Sequence, residues 1–174
     1  MIKKRNKGFT LIELLVVIAI IALLSTTVMT SLSAARQKSR NAKRMRDMKT
    51  VQTALEMYYN DNNGYPNQGG GWRSECASWG SYSANNVIPG LTPTYLGTFP
   101  SDPSMDKANS RSCYLYNSNG TDYALLDHNG PDIVYTSNST LIDPTRDGGS
   151  NPCIIDGTNI WSWKISSSPV SRCW

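Results

Sequence analysis

From Phe9 to Met29 the chain runs through 21 positions that carry a single charge, Glu13. About 20 predominantly apolar residues suffice for a helix to cross the hydrocarbon of a bilayer. This stretch therefore restricts the protein to architectures in which one helix lies in lipid or in an equally apolar protein environment. Glu13 sits badly there, because an acidic group deep in a membrane costs about 2.5–3.5 kcal/mol on insertion scales. Its local sequence supplies one bland explanation. Thr10-x-x-Glu13 fits the capping box, in which the two side chains satisfy backbone N–H groups at a helix start.

Three readings of the first 29 residues follow. A secretory signal peptide has a basic start, a short apolar core and small residues at its cleavage site. Met1–Lys7, Leu14–Leu24 and Ser33-Ala34-Ala35 can be placed in those roles, but the full apolar stretch is longer than such a core needs. A plain single-pass anchor fits the length. Its orientation is undetermined, because Lys3, Lys4, Arg5 and Lys7 on one flank face Arg36, Lys38, Arg40, Lys43, Arg44, Arg46 and Lys49 on the other.

The third reading rests on Lys7-Gly8-Phe9-Thr10-Leu11-Ile12-Glu13. This heptapeptide, between a basic leader and an apolar helix, resembles the prepilin leader of the type IV pilin and type II secretion pseudopilin superfamily. The resemblance implies a chain cut between Gly8 and Phe9 by a membrane prepilin peptidase that also methylates the new amino terminus at Phe9. Glu13 would then be an assembly residue, facing the Phe9 amine of its own or a neighbouring subunit. A buried carboxylate beside a cation is tolerable where either charge alone is penalised. Gly8, lacking a Cβ, suits the extended backbone of a protease cleft.

The four leader cations equal the formal net charge of +4, so a chain cut after Gly8 would be neutral. The basic pI thus gives little support to nucleic-acid binding. Beyond Met29 the sequence stays free of Pro and Gly to about Asn60. Met45, Met48, Val51 or Gln52, Leu55, Tyr58 and Tyr59 recur at helical spacing and predict one apolar stripe. The helix from Phe9 to Asn60 would measure roughly 78 Å if continuous. Asn62, Asn63, Gly64 and Pro66 stop it. The cations from Arg36 to Lys49 read as a solvated helix face.

From Gln68 onward Gly, Ser, Asn, Pro and aromatics dominate. Apolar runs at 114–116, 123–126, 133–135 and 161–165 predict short strands, with a hairpin signal at Asn119-Gly120. The expected fold is α+β, a small antiparallel sheet on the second half of the helix. The boundaries are a leader at 1–8, an apolar helix at 9–30, its amphipathic continuation at 31–61 and a β-rich domain at 62–174. Tyr65-Pro66 and Tyr95-Leu96…Phe99-Pro100-Ser101-Asp102-Pro103 also resemble the region after the helix in major pseudopilins.

Cys76, Cys113, Cys153 and Cys173 lack CxxC spacing and read as two disulfides in an exported domain. Three connectivities exist; the favoured one joins Cys153 to Cys173 and leaves Cys76 with Cys113. Catalysis is not expected, since the lone His128 lies in an Asp127-His128-Asn129-Gly130 context that reads as a turn. Asp127, Asp132, Asp143 and Asp147 are oxygen donors of the type calcium takes, but without EF-hand spacing. Solvated loop carboxylates are the favoured reading, and no cofactor is required. Trp72, Trp79, Trp161, Trp163 and Trp174 could form a sugar-binding platform, although aromatics in a small sheet domain are more often core.

The resemblance implies a structural filament subunit. Its partners would be further copies of itself, minor pilins, the prepilin peptidase and an inner-membrane assembly platform with its ATPase. It would sit as a single-pass protein in the cytoplasmic membrane before assembly, and in a periplasmic or surface filament afterwards. The alternative is a membrane-tethered extracytoplasmic module that binds glycan or DNA.

Overall fold

The computed structural model describes residues 8–67, 69–130, 132 and 162–174. One helix, α1, spans Leu11–Asn62, followed by strands β1 (Cys113–Ser118), β2 (Tyr123–His128) and β3 (Ser162–Ser166). The strands form one antiparallel sheet in the order β1-β2-β3. The fold is α+β. By its internal contacts the chain divides into two units, Met1–Ser39 and Arg40–Trp174.

In α1, Thr10 and Glu13 form the predicted capping box. Glu13 Oε2 accepts from Thr10 N at 2.8 Å, and Thr10 Oγ1 accepts from Glu13 N at 3.3 Å. At the other end Asn63 takes the left-handed conformation, φ 54°, that commonly terminates helices. Its N–H returns to Tyr59 O at 2.8 Å, and Asn62 Nδ2 donates to Tyr58 O at 2.9 Å.

In the second unit α1 buries Met48, Val51, Ala54 and Leu55. These pack with Val87, Ile88, Leu91, Phe99 and sheet residues including Tyr116 and Leu125. The stripe differs from the expected one at its ends. Met45 and Tyr59 are exposed at 44% and 41%, while Arg44, four residues before Met48, is fully buried. The buried line therefore reads 44, 48, 51, 55, with the half-buried Tyr58 continuing it.

Strand alternation divides the sheet into two faces. Tyr114 and Tyr116 of β1, Tyr123 and Leu125 of β2 and Trp163 of β3 join the core that includes the helix. Cys113, Leu115 and Leu126 face the other way, into a second cluster with Cys76. A disulfide joins Cys76 to Cys113 across 37 residues and ties the segment after the helix to β1. The expected Cys153–Cys173 pair depends on Cys153, which lies outside the described residues, as do the expected strand at 133–135 and Trp161.

The β1–β2 hairpin pairs Ser118 with Tyr123. Asn119 closes its four-residue loop, its Oδ1 accepting from Thr121 N at 2.9 Å and Asp122 N at 2.7 Å. Gly120 takes φ 93°, and a Cβ there would lie 3.3 Å from Asn67 Nδ2, so both backbone conformation and space favour glycine.

Candidate functional site

The first candidate site is the amino-terminal part of α1. Its large apolar side chains are exposed without interruption in the described structure, from Phe9 at 89% through Leu11, Ile12, Leu14, Leu15 and onward to Leu32. The helix is long and apolar enough to cross a membrane. Gly8 precedes it, and among the described residues a Cβ on Gly8 would meet no atom within 4 Å. No internal contact therefore demands glycine there. Glu13 is exposed, and among the described residues it is engaged only within its own first turn, where its Oε2 also accepts from Thr10 Oγ1 at 2.7 Å. The leader cations Lys3, Lys4, Arg5 and Lys7 lie outside the described residues.

A second arrangement, in the unit Arg40–Trp174, escaped sequence reasoning. Arg44 has a wholly buried side chain on the core side of α1. Its Nε donates to Asp102 Oδ2 at 2.5 Å and its Nη2 to Asp102 Oδ1 at 3.1 Å, a two-pronged pair. Nη1 reaches Asn41 Oδ1 at 2.7 Å and Asp132 Oδ2 at 3.2 Å, and Nη2 reaches Ser104 Oγ at 3.2 Å. Arg40 adds a second fork to Asp132, at 2.5 and 2.6 Å. Lys43 donates to Asp47 at 2.5 Å and to Ser101 O at 3.0 Å. Burial opposes the Arg44 charge, but the hydrogen-bonded Asp102 carboxylate, with Asp132, holds its pKa above the usual value. Hydrogen bonds from Arg40 hold the Asp132 carboxyl below the usual range.

These contacts correct the reading of the Arg36–Lys49 run as a solvated face. Arg36, Lys38, Arg46 and Lys49 are exposed, whereas Arg40, Lys43 and Arg44 anchor α1 to the loop around Asp102 and to Asp132. The sequence did carry a signal, since Arg44 lies on the 3–4 spacing that runs through Met48, Val51 and Leu55. Asp127 sits at the period-two positions of Tyr123 and Leu125, facing the core.

His128 closes β2 instead of entering a turn, because Asp127 and His128 both pair with β1 and β3. The strand ends there, and Asn129 takes a left-handed conformation with φ 56°. The His128 ring packs edge-on against Trp79 at 4.9 Å, and its Nδ1 lies 3.5 Å from Ser162 Oγ. Asp127, its neighbour in β2, projects from the opposite face, so these three residues do not line up as a nucleophile, base and orienting acid. Of the four candidate calcium donors, Asp132 is held by Arg40 and Arg44, and Asp127 lies 3.5 Å from Arg44 Nε. Asp143 and Asp147 lie outside the described residues. Trp163 is core, and Trp72 lies under the Lys164 ammonium, 5.8 Å from its ring centroid.

An apolar helix headed by a glycine–phenylalanine junction and a glutamate, followed by a small antiparallel sheet packed on helix residues 48–55, has the design of a pilin. Comparison with known proteins agrees. Residues 3–29 match the prokaryotic N-terminal methylation motif. The chain is 34% identical over 101 residues to type II secretion system core protein G of Escherichia coli K12, covering 57% of this chain and 67% of that protein. It is 41% identical over 64 residues to the protein of that name from Aeromonas hydrophila, covering 37% of this chain and 45% of the relative. Type IV wide pilus major component PilA4 of Thermus thermophilus is 46% identical over 62 residues, 36% of this chain and 47% of the relative. No solved structure matches with significance. The chain belongs to the type IV pilin and type II secretion pseudopilin superfamily. It spans under half the length of the Aeromonas and Thermus relatives.

Proposed function

We propose that this protein is a structural subunit of a type IV pilus or type II secretion pseudopilus. In this reading a prepilin peptidase cuts after Gly8 and methylates Phe9, and the mature chain polymerises through α1. The observation that carries it is the exposed apolar surface from Phe9 to Leu32, interrupted near its start by Glu13. Surface of that extent and composition is stable only in lipid or against other apolar protein. A filament core of parallel helices supplies the second environment after the membrane has supplied the first.

Among the described residues nothing crowds a side chain at Gly8, which supports a requirement set by an outside enzyme. Glu13 has a dual role. In the uncleaved chain it caps α1 through Thr10. After cleavage the charged Phe9 amine becomes a partner, and its attraction to Glu13 of a neighbouring subunit would fix the register between helices. Minor pilins, the assembly platform and its ATPase would complete the machinery. Before assembly the protein would reside in the cytoplasmic membrane.

Mass spectrometry of the protein recovered from membranes and sheared filaments tests this reading. Loss of residues 1–8 with gain of one methyl group is the expected result. An intact amino terminus would overturn it in favour of a tethered module binding glycan or DNA.

A further inference from the structure

Among the described residues, the polar cluster beside α1 contains three cations and four carboxylates. Arg40, Lys43 and Arg44 face Asp47, Asp102, Asp127 and Asp132. Three of the carboxylates are well matched. Asp102 holds the Arg44 fork, Asp132 holds the Arg40 fork and a third bond from Arg44, and Asp47 accepts from Lys43 and from Tyr114 Oη at 3.2 Å. Asp127 is the surplus one. Its side chain is completely buried, and among the described residues neither oxygen has a hydrogen-bond partner. Its approach to a cation is the 3.5 Å separation from Arg44 Nε, whose proton is already directed at Asp102.

We infer that Asp127 is carried in the folded domain as a neutral carboxylic acid, and that this cluster is a proton-dependent latch holding the Arg40–Met48 stretch of α1 on the sheet. An isolated carboxylate in such a site would lack the hydrogen bonds that make buried charge tolerable. The surroundings supply none. From α1 it is faced by Arg44 and Asp47, and from the loop by Asp102. From β1 it is faced by Tyr114, whose hydroxyl is turned to Asp47. From β3 its directly opposed residue is Trp163, whose buried indole N–H has no partner among the described residues. Asp132 approaches through Arg44, while His128 and Lys164 occupy the opposite face of the sheet. Burial, followed by the Asp102 charge and opposed by Arg44, pushes the Asp127 carboxyl well above the usual range.

The sign of the pH dependence follows. A carboxyl whose folded-state pKa is raised binds its proton more tightly when folded. Its stabilising effect is complete below the unfolded value of about 3.9 and is lost as pH rises through the folded value. In that window one extra bound proton changes the folding equilibrium by about tenfold per pH unit. Asp132 and Asp106, whose pKa values are lowered, act in the opposite direction at acid pH. Comparison with Asp127→Asn cancels their contribution.

The full chain in nonionic detergent, unfolded with denaturant at pH 5 through 8, provides the test. Wild type should lose stability relative to Asp127→Asn as pH rises, with a slope approaching tenfold per unit at the acid end. Amide-exchange protection of residues 40–48, corrected for intrinsic rates, should fall with pH in wild type alone. A stability ratio that stays flat from pH 5 to 8 would overturn the proposal, because it marks an Asp127 already ionised and paired with Arg44. Protection at residues 40–48 that does not vary with pH would overturn the latch. Carboxyl carbon NMR on wild type keeps the proposal testable if the Asn variant does not fold. A midpoint above pH 5 supports it, and one below pH 5 refutes it.

Discussion

The two units of this protein reverse ordinary solvent preferences in opposite ways. In the first, Phe9, Ile12, Leu15 and Ile18 are exposed; in the second, Arg44, Asp102 and Asp127 are buried. The apolar side chains of the first unit are left without apolar cover by the described residues. The charges of Arg44, Asp102 and Asp132 are met within the domain, by side chains at 2.5–3.2 Å. Position in the helix therefore says little about what a residue does. Apolar character near Phe9 marks an external interface, and charge near Arg44 marks an internal joint.

The sharpest break concerns the first unit. Gly8→Val should leave an unprocessed precursor with its basic leader, an all-or-none change in mature mass, with the folded domain unaffected. Normal mature mass in that variant would remove the cleavage assignment.

In the second unit, Arg44→Ala leaves Asp102 facing a buried void with its main cation gone. Breaking a buried pair by removing one partner typically costs about 3–5 kcal/mol. Exposed Arg46→Ala should stay within about 0.5 kcal/mol of wild type. Denaturant midpoints of the two variants measure the contrast, and equal midpoints would show that Arg44 is not the joint. A smaller contrast separates two methionines of one helix. Met48→Ala should cost about 2–5 kcal/mol through lost burial and cavity formation. Met45→Ala, on the exposed side, should stay within about 0.5 kcal/mol. Equal losses would mean the helix is rotated from the face assigned to it.

Much of this arrangement was legible in the sequence. The apolar run, the Thr10–Glu13 cap, the stop after Asn62 and the strands around Tyr114–Tyr116 and Tyr123–Leu126 follow from periodicity and local chemistry. The buried cluster was not, because a cation run on a helix ordinarily faces water and the carboxylate partners of Arg44 lie 58 to 88 residues away. Nothing local distinguishes Arg44 from Arg46 except its place on the Met48–Val51–Leu55 line. Asp127 was obscured by the following Asn129-Gly130, whose turn chemistry reads backward into the strand. Strand pairing with β1 and β3 overrides it, so the strand continues through His128.

The central claim is that the exposed apolar helix is an assembly surface in which Glu13 meets a neighbour's amine. Fractionation of Glu13→Gln and Glu13→Ala cells into membrane and sheared-filament pools, with processed mass checked in both, tests it most directly. Gln can still complete the capping box, and loss of the charge lowers the cost of residence in lipid. Both variants should therefore be inserted and cleaved, accumulate in the membrane pool and be missing from filaments. Abundant filaments of Glu13→Ala would contradict the account and leave Glu13 as a helix cap alone.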